Sequence, residues 1–76
     1  MAELVEFLAR SLVDEPDAVR VEREDRDDAL VLHLHVAEGD VGKVIGRQGR
    51  IARALRTVVR AGGAHENRRV VLEIAG

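Results

Sequence analysis

A chain of 76 residues with a formal net charge of −2 and no cysteine is expected to hold one small domain, 1–76, and has neither a disulfide framework nor a thiolate metal site. The apolar set is almost wholly Val, Leu, Ile and Ala, with Phe7 as the single aromatic, so there is material for a core but no platform of rings on which bases could stack. The N-terminal stretch carries charge every few residues, which excludes a signal h-region or a membrane span there and makes the cytoplasm the expected setting.

Residues 3–13 place Leu4, Val5, Leu8 and Leu12 at three- and four-residue spacing, with Phe7 at the margin of the stripe, which predicts an amphipathic helix. Pro16 stops it. Val19 and Val21 alternate with Arg20 and Glu22 as a short strand, residues 25–28 read as a polar turn, and residues 29–36 alternate as the clearest strand in the chain. These predict a hairpin in which Leu30, Leu32, Leu34 and Val36 share one face while Val31, His33 and His35 share the other.

Gly39 breaks that strand, and Asp40 is placed to cap a short helix over 41–45. A Gly-Arg-Gln-Gly step, Gly46 to Gly49, follows. From Arg50 to Ala61 a second helix is predicted, with Ile51, Leu55, Val58 and Val59 on one side and Arg50, Arg53, Arg56 and Arg60 on the other. The Gly62-Gly63 pair is expected to end it, His65 falls in the next loop, and Val70, Leu72 and Ile74 point inward from a final strand. The order α-β-β-α-α-β defines an α+β layer, a three-stranded sheet backed by three helices.

Charge is divided along the chain. Residues 1–40 carry a net −8 and residues 41–76 a net +6, and between Val41 and Ala61 there are six bases and no acid. The Gly step matches neither a Walker loop nor a dinucleotide fingerprint, because both need further glycines or a Lys-Ser/Thr pair that are absent around it. It joins two helices instead. Two glycines let the main chain take positive φ and let phosphates approach closely, and the second helix brings its free N–H groups and positive dipole end to the same spot. Arg47 and Arg50 add full charges, in a position unfavourable to the helix dipole unless an anion sits there.

With Val44-Ile45 before the step, a basic amphipathic helix after it and strands around the pair, the chain resembles a KH domain of type II, the module whose Gly-x-x-Gly loop clamps about four nucleotides of single-stranded nucleic acid. Residues 35–61 carry the most specific likeness, which is to the KhpA family of small stand-alone bacterial KH proteins and extends over essentially the whole chain. The resemblance implies RNA-binding roles for Gly46, Arg47, Gln48 and Gly49 as the clamp, Val44 and Ile45 as residues that shape the apolar groove or the core beneath it, Lys43 and Arg50 as flanking bases, and Arg53 as a further phosphate contact. One position departs from the common pattern. KH domains at large carry a branched apolar residue three after the second glycine, where this chain has Ala52, with Ile51 one earlier, and this bears on the packing of the second helix.

The resemblance further implies a non-catalytic RNA chaperone that binds single-stranded RNA and acts with a KhpB/Jag-type multidomain KH protein in cell-wall and cell-length control. Self-association is also implied, and no cofactor is. Two other readings stay open from the residues alone: a helix-turn-helix DNA binder and a pure protein-interaction module. His33 and His35 share a strand face, but two ligands without cysteine do not make a metal site, and both are expected to face solvent.

Overall fold

The computed structural model describes residues 1–65 and 67–75. Its elements are α1 (Ala2–Leu12), β1 (Arg20–Asp25), β2 (Ala29–His35), α2 (Val41–Ile45), α3 (Arg50–His65) and β3 (Arg69–Ala75). The sheet order is β1-β2-β3, with β1 antiparallel to β2 and β3 parallel to it. A tight turn, in which Arg26 N–H donates to the Ala29 carbonyl at 2.8 Å, suffices for the antiparallel pair. The parallel pair requires a crossover, and α2, the glycine step and α3 supply it. The site is therefore part of the connection that closes the sheet.

Alternation along β2 sets the core. Leu30, Leu32, Leu34 and Val36 face the helices at 5% exposure or less and meet Val5 and Ala9 of α1, Val44 of α2, Leu55 and Val59 of α3, and Val70 and Leu72 of β3. Each such side chain contributes about 1.5–3 kcal/mol relative to leaving it in water. The opposite sheet face carries His33 and His35, which are half-buried and paired across the strands rather than free in solvent. His33 Nε2 lies 2.9 Å from Glu24 Oε1, and His35 Nε2 lies 2.9 Å from Glu22 Oε1. Val31 on that face is buried, with Val71 opposite it in register.

Three expectations are corrected. The Gly62-Gly63 pair does not end the second helix: α3 runs on to His65, which is its last residue rather than part of a loop. Gly63 is there because a Cβ would stand 2.5 Å from the Arg68 carbonyl oxygen and 2.7 Å from Val70 Cγ2, so the chain turns back into β3 in contact with the helix. Second, the buried side of α3 is Ala52, Leu55, Val59 and Gly63, with Val58 exposed and Ile51 half-buried, because the sheet contacts a narrower stripe than the apolar residues span. Third, Asp40 makes no side-chain cap for α2. Its buried carboxylate instead accepts N–H bonds from Asp14 at 3.3 Å and Glu15 at 3.0 Å, tying the end of the α1 connection to the start of α2.

Candidate nucleic-acid interface

The glycine step is an outward bend with an unusual backbone. Gly46 leaves α2 at φ 76, its N–H donating to the Gly42 carbonyl at 2.8 Å, and Gly49 enters α3 at φ 73. Between them Gln48, a residue with a side chain, is also held at positive φ, 57. Three of the four residues thus sit in a region that side chains rarely adopt; the two glycines enter it freely, and the strain falls on Gln48 alone. The bend is pinned by Gly49 N–H donating to the Gly46 carbonyl at 3.1 Å.

Arg47 and Gln48 are exposed, and a Cβ at Gly49 would meet open space. The bend therefore stands clear of the rest of the polypeptide. Arg50 Nη2 donates to Gln48 Oε1 at 3.3 Å, which sets a guanidinium beside the start of α3. The first turn of α3 contains no acid, so its free N–H groups and the dipole face an approaching anion without a competing carboxylate. Under the bend, Ile51 packs against the Gly46 backbone, while Ala52 fills the core position at 3% exposure. The departure at Ala52 is thus accommodated by its neighbour, which supplies the branched side chain.

The predicted residues occupy three environments. Gly46, Arg47, Gln48, Gly49, Arg50 and Arg53 lie together on the bend and the open side of α3, and Ile45 is exposed just before it. Val44 is wholly buried and supports the bend from the core. Lys43 points back to the α1 connection, with Nζ 3.0 Å from Asp14 Oδ2 and 3.5 Å from Asp40 Oδ1. Asp14, with Asp40 in support, raises the Lys43 pKa. Burial pushes the Asp40 carboxyl up, but the Glu15 and Asp14 N–H groups and the Lys43 ammonium outweigh it, and its pKa is lowered.

Ion pairing sorts the remaining bases. Of the 12 Lys and Arg side chains, Arg10, Arg20, Arg26, Lys43 and Arg68 are paired with acids. Among the described residues the other bases pair with no acid: Arg23 in β1, Arg69 at the start of β3, where it also borders the outer face of the sheet, and, on the exposed side of the bend and α3, Arg47, Arg50, Arg53, Arg56 and Arg60. The acids of the first half neutralise bases elsewhere and leave this side positive, which a net charge of −2 conceals.

Beyond the bend, an open groove of about 780 Å³ runs between α3 and the free edge of β3, lined by Arg56, Arg60, Asn67, Arg69 and the aliphatic Val70, Val71 and Leu72. Arg56 and Arg60 are not among the site residues expected from the sequence, although their spacing from Arg53 along one side of the helix is a signal that could have included them. No feature of the linear sequence places β3 at the edge of the sheet. Among the described residues no group of three or more His, Cys, Asp or Glu side chains could hold a metal ion, and no helix is long and apolar enough to cross a membrane.

A Gly-x-x-Gly bend between two helices, inserted as the crossover of an α-β-β-α-α-β sheet, defines a KH domain of type II. A helix-turn-helix is disfavoured, since α2 has only five residues and both helices pack on a sheet. The model of the KhpA/KhpB KH domain matches residues 2–74, and the chain belongs to that family. It is 53% identical over 74 residues to the RNA-binding protein KhpA of Clostridium perfringens, covering 97% of this chain and 99% of that one. To the RNA-binding protein KhpA of Bacillus subtilis it is 45% identical over 74 residues, covering 97% and 91%. Among solved structures, Aquifex aeolicus Era superposes with a TM-score of 0.64 at 25% identity; the match covers 96% of this chain but only 28% of that longer one.

Proposed function

We propose that the protein is a non-catalytic RNA-binding module, a single KH domain over 1–76, that holds a short unpaired RNA by its phosphates. The observation that carries this reading is the series of exposed arginines, Arg47, Arg50, Arg53, Arg56 and Arg60, none ion-paired among the described residues, from the bend to the groove beside β3. Relatives named as RNA-binding proteins at about half identity over nearly the full chain support it. Gly46, Arg47, Gln48, Gly49 and Arg50 form the clamp, Arg53 adds a phosphate contact, and Ile45 shapes the apolar side of the path, with the wholly buried Val44 supporting it from the core. Lys43 acts from its ion pair with Asp14, as a bridge between the clamp helix and the α1 connection.

The physiological act in this reading is that of an RNA chaperone in the cytoplasm, working with a KhpB/Jag-type multidomain KH protein in post-transcriptional control of the cell wall and cell length. The family takes its name from both proteins, which supports the pairing. Without aromatic stacking, worth about 1–3 kcal/mol per base where present, one copy binds weakly, and pairing with a partner or a second copy raises the effective affinity. Leu4 and Phe7 on α1 and Val58 on α3 are exposed apolar side chains available for such contacts.

The test is a set of titrations against unpaired RNA, unpaired DNA and duplex DNA of matched length and sequence. Tighter binding of unpaired RNA than of the duplex is expected. Equal or tighter binding of the duplex contradicts the reading.

A further inference from the structure

Ala64, Asn67 and Arg68, where the chain passes from α3 to β3, line one end of the groove. Arg68 N–H donates to the Gly63 carbonyl at 2.8 Å and Asn67 N–H to the Ala64 carbonyl at 3.2 Å, the two nested bonds of a Schellman terminus. Asn67 is held at φ 61, where glycine is preferred and asparagine tolerated. The backbone therefore accounts for a residue that accepts positive φ, and glycine would satisfy it at least as well. What asparagine adds is a carboxamide on a residue that lines the groove.

That carboxamide differs in kind from its surroundings. Among the side chains lining the groove, those of Arg56, Arg60 and Arg69 can only donate hydrogen bonds and those of Val71 and Leu72 do neither, whereas an amide both donates and accepts. We infer that Asn67 reads the edge of one base in RNA lying in this groove, favouring adenine over guanine. The inference rests on the RNA-binding reading given above. An amide meets adenine with Oδ1 accepting from N6 and Nδ2 donating to N7; at the same edge guanine presents O6 and N7, both acceptors, and leaves Oδ1 opposed. The arginines neutralise phosphates whatever the sequence, and if they read a base they would favour guanine. The preference for adenine thus separates the amide from the guanidinium groups. Because α3 has 16 residues, Asn67 lies about 24 Å along the helix from the bend, so the base it reads is toward one end of the bound segment.

The experiment compares the parent with Asn67→Gly, which keeps the positive-φ turn and removes only the amide. Both are titrated with short uridine-rich RNAs in which one adenosine or one guanosine is walked through every position. The parent is expected to show one position where adenine binds about fivefold or more tighter than guanine. Asn67→Gly is expected to lose that preference, with the melting temperature and the salt dependence of binding retained. RNA binding by the parent with no such position, or a preference that survives in Asn67→Gly, overturns this inference alone. Absence of RNA binding by the parent overturns it together with the functional reading beneath it.

Discussion

Ile51 stands where a side chain on Gly46 would have to go: its Cγ1 is 2.6 Å from the position a Cβ would occupy, and its Cβ is 2.9 Å away. The first glycine of the bend is therefore constrained twice, by its φ of 76 and by the residue that seats the bend on the core. Gly49 has φ 73 but open space around it. Gly46→Ala is expected to cost about 2–4 kcal/mol, combining positive-φ strain with overpacking, and Gly49→Ala about 1–2 kcal/mol from strain alone. Chemical denaturation of the two variants checks the order, and equal losses would show that Ile51 yields freely.

A second pair of glycines separates in the same way. A Cβ on Gly63 meets the Arg68 carbonyl and Val70, so Gly63→Ala is expected to destabilise by about 1–3 kcal/mol despite the better helix propensity of alanine. At Gly62 a Cβ meets only the flexible end of Met1. Gly62→Ala is expected to be neutral or to stabilise by up to about 1 kcal/mol. Thermal melts of both variants measure the contrast.

Asp40 gives the fold an acid-sensitive tie. Its carboxyl pKa is lowered in the folded chain, where burial opposes ionisation but the Glu15 and Asp14 N–H groups and Lys43 outweigh it. A depressed folded pKa contributes stability above the unfolded value, near 4, and that contribution fades as pH falls through the folded value. Glu24 is pulled down to about 2 by hydrogen bonds from Arg26 and His33, but that pair is exposed and screened and adds little. Asp40→Asn is expected to melt at a lower temperature than the parent at pH 7, with the gap narrowing toward pH 3. A gap constant across that range would show that the charge of Asp40 is not what holds the α1 connection.

The architecture was legible wherever one local rule decided the matter. Alternation from Leu30 to Val36 fixed the buried face of β2, and the Gly-Arg-Gln-Gly step between a short helix and an arginine-striped one located the bend. Features set by contacts distant in sequence were not legible. Gly62 and Gly63 read as a helix stop, yet they lie inside α3 because β3 turns back against Gly63. Asp40 reads as a helix cap, but its partners are the amides of Asp14 and Glu15, 26 and 25 residues away. The groove depends on β3 being an edge strand beside Arg56 and Arg60, a property of sheet order that no linear pattern expresses.

Phosphate holding by the bend is measured by the salt dependence of affinity for unpaired RNA when Arg47 and Gln48 are both changed to Asp. Both side chains are exposed, so circular dichroism and melting temperature are expected to match the parent. Affinity is expected to fall, and the slope of log K against log salt to become shallower by roughly 0.7 for each phosphate that the variant no longer neutralises. A double variant that binds RNA with the affinity and slope of the parent would contradict the account.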